Sequence, residues 1–110
     1  MKLYEIAEKF SLKTVCIGNE NVDIVKGYCC DLLSEVMGKA ESGSIWITVH
    51  TNMNVMGVAS MLDIKAIVIA EGHEVDEKFR EKAVEEGIAV FETSENSFII
   101  SGKLYAEGIR

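Results

Sequence analysis

Three short apolar runs decide the fold of this chain: IWITV at residues 45–49, AIVIA at 66–70 and IAVF at 88–91. They begin 21 and 22 residues apart, and each is followed by a segment with apolar residues at helical spacing. Runs that are apolar throughout are typical of strands buried on both faces of a parallel sheet. The repeated strand–helix order predicts an α/β fold, a small, open, mostly parallel sheet with helices on both faces.

The three helices of this repeat are predicted at residues 55–62, 76–86 and 95–107. Asp76 and Glu77 place negative charge in a first turn, where the helix dipole favours it. Gly87 follows the middle helix, where a left-handed residue commonly ends a helix. Ser94 is predicted to be the N-cap of the last helix.

The first 44 residues predict an N-terminal helix and one or two strands before this repeat. Apolar residues at helical spacing indicate the helix, at residues 3–10. Residues 12–17 predict a strand and 22–30 an extended segment. A further helix is expected at 32–39, with Asp31 as its N-cap. At this length we expect residues 1–110 to form a single domain.

Composition narrows the classes of function. The net charge is −7, from 11 basic and 18 acidic residues, and a negative field opposes binding to nucleic acid or to anionic lipid. No apolar run is long enough to span a membrane, and an acidic residue stands where a signal peptide is apolar. The three cysteines are an odd number with one adjacent pair, which suits a reducing compartment. We therefore expect a cytoplasmic protein without nucleic-acid or membrane partners.

Catalytic and cofactor motifs are missing from the sequence. There are only two histidines, His50 and His73, and no C-x-x-C pair, so we predict no metal site. Neither the phosphate loop G-x-x-x-x-G-K-[ST] nor the dinucleotide fingerprint G-x-G-x-x-G occurs, so no cofactor is predicted. We expect the protein not to be an enzyme. The enzymatic alternative is a nearby Ser or Cys activated by one of the two histidines as a base.

Polar loops follow the three predicted strands, at residues 50–54, 71–74 and 93–96. Ligands of open parallel sheets bind beyond the carboxyl ends of the strands, and helix N-termini there favour an anion. The candidate ligand-binding residues are His50, Thr51, Asn52, Asn54, Gly72, His73, Thr93, Ser94 and Asn96. The alternative is that the Asn, Thr and Ser side chains only cap helices.

The helix at 55–62 is apolar around most of its circumference, although a helix packed only on a sheet should have a polar face. Either the N-terminal elements or a second copy of the protein must cover its other side. We predict a homodimer, with Met53, Met56 and Met61 as a candidate dimer or partner surface.

One segment resembles a known family. Residues 27–37 resemble the G-Y-x-x-D-L-L-S-x-V-M stretch of DRTGG-domain proteins. Trp46-Ile47-Thr48, the helix start at 54–59 and Leu104-Tyr105 are similar to later elements of that family. The Asp-Arg-Thr-Gly-Gly string itself is absent, and residues 50–54 stand where many relatives have a loop richer in glycine and acids.

The resemblance implies a non-catalytic α/β module. It is similar to the N-terminal domain of HPr kinase/phosphorylase and to domains of phosphotransacetylases. In pyrophosphatases with CBS domains, the family contributes a dimer-forming piece of a nucleotide-responsive regulatory region. Free-standing members look like small proteins encoded near iron-only hydrogenase subunits and sensor kinases. We therefore expect a regulatory module for a small anionic metabolite or nucleotide, or else a module that docks a hydrogenase or kinase partner without a ligand.

Overall fold

The computed structural model describes residues 1–110 as five helices and five strands. In chain order they are α1 (Leu3–Lys9), β1 (Lys13–Cys16), β2 (Gly27–Cys29), α2 (Leu33–Lys39), β3 (Ile45–Thr48), α3 (Asn54–Met61), β4 (Ala66–Ile69), α4 (Glu77–Glu86), β5 (Ala89–Glu92) and α5 (Ser97–Ala106). None of the helices is long and apolar enough to cross a bilayer.

The strands form one sheet in the order β1-β5-β4-β3-β2. β2, β3, β4 and β5 are parallel, and β1 pairs antiparallel with β5 at one edge. The α/β fold with a mostly parallel sheet, predicted from the three apolar runs, is confirmed. All four residues of β3, of β4 and of β5 are buried, as expected for strands covered on both faces.

The two faces of the sheet carry two apolar cores. On one face, Ile6 of α1 and Ile100 of α5 pack with Ile47 and Phe91. On the other face, α2, α3 and α4 pack around Trp46. Side chains alternate between faces along a strand, so neighbouring residues of β3 serve different cores. Helices therefore cover both faces, as predicted.

The end of β2 differs from the sequence prediction. The strand is limited to Gly27–Cys29, and the prediction of Asp31 as N-cap is wrong, because α2 has Leu32 at that position with no side-chain hydrogen bond. Asp31 Oδ1 instead accepts hydrogen bonds from Thr48 Oγ1 at 2.8 Å and from Val49 N at 2.9 Å. Because the Thr48 side chain is fully buried, its hydroxyl needs a partner, and Asp31 supplies it.

The predicted helix ends are only partly confirmed. Asp76 Oδ1 accepts from Phe79 N at 2.9 Å as the N-cap of α4, and Gly87 ends that helix with φ 71°. The prediction of Ser94 as the N-cap of α5 is wrong, because Asn96 holds that position and accepts from Ile99 N at 2.9 Å. The Thr93 hydroxyl accepts from Glu95 N, so a turn separates β5 from α5.

Two neighbours within the chain flank the apolar helix α3: α2 on one side and α4 on the other. This packing explains why the helix is apolar around most of its circumference. Met56 is only 1% exposed, so its assignment to a dimer or partner surface is wrong. Met53 and Met61 are 42% and 69% exposed and stay available for contacts.

Candidate functional site

A polar cavity of about 230 Å³ opens at the carboxyl ends of β4 and β5. Four of the candidate ligand-binding residues line it: Gly72, His73, Thr93 and Ser94. No apolar side chain contributes to its wall. The structure therefore brings the loops after β4 and β5 together around one concave space.

Three further residues line the cavity that sequence reasoning missed: Lys13, Glu74 and Glu92. Lys13 begins β1 and pairs in register with Glu92, the last residue of β5. Since β1 is antiparallel to β5, the beginning of β1 lies at the same edge as the ends of the parallel strands. No pattern in the sequence indicated the direction of β1 or its neighbour in the sheet, so nothing pointed to Lys13.

The Glu92 carboxylate contacts two other parts of the chain near the cavity, the loop after β4 and the start of β1. Its side chain is buried, with one carboxylate oxygen accepting from Val75 N at 2.8 Å and the other 3.5 Å from Lys13 Nζ. A buried carboxylate is tolerated when a cation and a hydrogen-bond donor both face it. Glu92 thus holds the loop after β4 against the end of β5.

The loop at residues 71–74 turns sharply to line the cavity. Glu71 and Gly72 both have left-handed backbones, with φ 65° and 77°. The Gly72 amide donates to Thr93 O at 3.0 Å, and the Glu71 amide donates to Glu95 O at 2.9 Å. These bonds tie the loops after β4 and β5 to each other, so the cavity is built on fixed backbone.

The nearby helix N-termini are occupied by the chain itself. Asp76 caps α4, Asn96 caps α5, and Glu71 Oε2 accepts from Ser97 N at 3.1 Å in the first turn of α5. Carboxylates at these positions already balance the positive end of each helix dipole. The positive group that faces the cavity is the Lys13 ammonium, whose side chain is 70% exposed.

The remaining candidates lie outside this cavity: His50, Thr51, Asn52, Asn54 and Asn96. The loop after β3 uses its polar groups on itself. His50 N donates to Thr48 Oγ1 at 3.2 Å, and Asn54 N donates to Asn52 Oδ1 at 2.8 Å. The nine candidates therefore do not form one site, because the loop after β3 and Asn96 contribute to local turns and caps.

Neither histidine imidazole is hydrogen-bonded to a Ser or Cys side chain. Burial raises the pKa of the Cys16 thiol, which lowers its reactivity, and Cys29 and Cys30 are also free thiols. Nowhere do three His, Cys, Asp or Glu side chains converge as a metal site would require.

The chain is similar in structure to the crystal structure of the CBS and DRTGG domains of the regulatory region of Clostridium perfringens pyrophosphatase, complexed with the activator diadenosine tetraphosphate. The TM-score is 0.79 at 18% sequence identity. The match covers 98% of this chain and 47% of that chain, so this chain spans about half the length of its neighbour. No protein-family model and no curated protein matches the sequence. At this identity the similarity shows the fold, and the DRTGG-like fold expected from residues 27–37 is confirmed.

Proposed function

We propose that this chain is a non-catalytic regulatory module that binds a small nucleotide or a related phosphorylated metabolite in the polar cavity beyond β4 and β5. The observation that carries the proposal is the cavity itself, which lies where open parallel sheets bind ligands and has no hydrophobic residue in its wall. The structurally similar pyrophosphatase region binds a nucleotide activator, and this supports the same class of ligand here.

The cavity chemistry suits the sugar–phosphate part of a nucleotide. The Lys13 ammonium would contact a phosphate, and the Thr93 and Ser94 hydroxyls can donate to or accept from sugar hydroxyls. Sites for drug-sized ligands range over about 300–1,000 Å³, so a cavity of about 230 Å³ encloses part of a nucleotide and leaves the rest exposed. With one cation beside Glu74 and Glu92, a ligand of low charge is favoured over a polyanion.

A thermal-shift and calorimetric titration with AMP, ATP and diadenosine tetraphosphate tests this proposal. A ligand at 100 times its dissociation constant adds about 2.7 kcal/mol, which raises the melting temperature of a domain this size by several degrees. Ser94→Ala and Lys13→Met are expected to weaken binding, the lysine variant by roughly tenfold through loss of a charge-assisted contact. The matched control is Lys26→Met, since Lys26 also pairs with a glutamate but lies outside the cavity.

The proposal is contradicted if none of these compounds changes the melting temperature. If Lys13→Met and Lys26→Met weaken binding equally, the affinity depends on the net charge of the protein and the ligand does not occupy the cavity.

The proposed module is a homodimer. The exposed Met53, just before α3, and Met61, at the end of α3, remain the candidate contact surface, and symmetric dimers are the commonest oligomers. Sedimentation equilibrium of the native chain and of Met61→Lys checks this part. A native chain that sediments as a monomer at all concentrations contradicts the dimer.

A second function, docking of a protein partner without a small ligand, is supported by a different observation. Phe98 on α5 is 84% exposed, and Tyr105 on the same helix is 59% exposed. Residues seven apart lie on the same side of a helix, and exposed apolar side chains grouped on one side are typical of protein-binding surfaces. A hydrogenase subunit or a sensor kinase is the partner class that fits the family resemblance. Phe98→Glu is expected to abolish such docking and to leave any nucleotide-induced thermal shift unchanged.

A further inference from the structure

A second cavity lies at the other edge of the sheet from the polar site, beside β2, and shares no residue with it. It is a cleft of about 170 Å³ between β2 and α5, on the α1–α5 face of the sheet. Its floor is apolar, formed by Gly27, Ile47 and Ile109. A Cβ atom at Gly27 would come within 3.3 Å of Ile109 Cγ2, so glycine allows Ile109 to pack closely against the strand backbone.

Ser101 of α5 lines this cleft, and its hydroxyl oxygen is buried without a hydrogen-bond partner. It is the one buried side-chain nitrogen or oxygen in the chain that lacks a partner. A buried hydroxyl without a hydrogen-bond partner destabilises a fold. A group placed in the cleft that can accept from or donate to this hydroxyl would recover that free energy.

Arg110 and Tyr105 stand at the mouth of the cleft. The Arg110 guanidinium lies 4.7 Å from the centre of the Tyr105 ring, and its Nε donates to Tyr105 O at 3.4 Å. The guanidinium therefore lies over the ring, and its two terminal nitrogens make no hydrogen bond within the chain. Terminal guanidinium nitrogens are well suited to a carboxylate.

We propose that this cleft binds a small aromatic carboxylate, with the ring on the apolar floor, the carboxylate on Arg110 and a hydrogen bond to Ser101. The volume agrees, because a buried apolar cavity of about 150 Å³ holds one benzene ring. The mostly apolar wall excludes a sugar phosphate, and the single arginine provides for one negative charge.

Cys29 is an exposed free thiol that also lines the cleft, so its rate of alkylation reports whether the cleft is occupied. The test uses the full chain with Cys16→Ala and Cys30→Ala, so that Cys29 is the only thiol. The rate at which iodoacetamide alkylates Cys29 is measured at increasing concentrations of benzoate or phenylacetate. The concentrations extend to about 10 mM because ligands of this size bind weakly. Benzamide is the uncharged counterpart of benzoate. We expect the two carboxylates to slow alkylation with saturation and benzamide to have at most a small effect.

Two variants separate ligand contacts from structural effects. Ser101→Ala is expected to raise the melting temperature of the free protein, because an unsatisfied hydroxyl is lost, and yet to weaken benzoate protection. Arg110→Gln is expected to weaken protection roughly tenfold, the effect of losing a hydrogen bond between charged groups. Arg80→Gln is the matched control, as Arg80 is an exposed arginine on α4, on the other face of the sheet.

Several results would overturn the proposal. These are the absence of protection by either carboxylate, equal protection by benzamide, and protection that survives both Ser101→Ala and Arg110→Gln. Cys29 alkylation that slows as protein concentration rises, without added ligand, would show that a second copy of the chain occupies the cleft.

Discussion

The loops that follow β3 and β4 are both short and rich in polar residues, but their polar groups have different roles in the structure. The loop after β3 has its polar groups engaged in local hydrogen bonds: Val49 N donates to Asp31 Oδ1, and Asn54 N donates to Asn52 Oδ1. The loop after β4 leaves His73 and Glu74 lining an open cavity and is held in place by its backbone.

The neighbours of each loop explain this difference. The loop after β3 lies beside the chain leaving β2, where the Asp31 carboxylate accepts hydrogen bonds from Thr48 Oγ1 and Val49 N. The loop after β4 lies beside the end of β5, where the antiparallel β1 adds Lys13 to the wall. Polar residues at a strand end therefore form a candidate site only where the adjacent elements leave room.

The largest expected effect concerns the loop after β3. Asp31→Ala should lower the free energy of unfolding by about 2 kcal/mol, because the buried Thr48 hydroxyl and the Val49 amide lose their acceptor. Urea denaturation measures it, and Asp31→Asn is the control because an amide oxygen can still accept. If Asp31→Ala is as stable as the native chain, the loop after β3 is not held by this carboxylate.

The corresponding change for the loop after β4 is Glu92→Ala, which removes the β5 carboxylate that holds this loop. We expect a loss of about 1–2 kcal/mol in unfolding free energy, since Val75 N loses its acceptor. Hydrogen exchange at the Val75 amide should accelerate, whereas the Ile99 amide, held by Asn96, serves as the internal control. Unchanged exchange at Val75 would contradict the role of Glu92 in holding the loop.

Two variants, one in the loop after β3 and one in the cavity, are expected to have opposite effects on stability and on ligand binding. Asn52→Ala should cost about 0.5–1 kcal/mol of stability, the usual value for a side chain that bonds the start of a helix, and should leave ligand binding unchanged. Ser94→Ala, whose hydroxyl is exposed in the cavity, should do the reverse. Chemical denaturation and calorimetric titration of both variants test it. Reduced nucleotide binding in Asn52→Ala would place the loop after β3 back in the ligand site.

The two histidines give the smallest expected effect. His73→Ala should weaken nucleotide binding by about threefold, the effect of one neutral hydrogen bond, because His73 lines the cavity. His50→Ala should have no measurable effect on binding, since His50 lies outside it. Equal losses for both histidines would show that the two loops act on the ligand together.

Much of the candidate site was accessible from the sequence, but its boundary was not. Gly72, His73, Thr93 and Ser94 were expected from their positions after buried strands, and they line one cavity. Lys13 and Glu92 were missed because their roles depend on a strand pairing across most of the chain. Met56 was misplaced because apolarity alone does not say whether α2 or a second copy covers a helix.

The sequence by itself determined the strand–helix repeat, the two-sided burial of the sheet and the loops at its carboxyl edge. Those features follow from local apolar patterns that repeat along the chain. The tertiary structure alone decided which loop opens into a cavity, which thiol lines the second cleft and which polar groups are consumed by their neighbours. Such features depend on contacts between residues far apart in sequence, and a local pattern does not encode the partner that a side chain will meet.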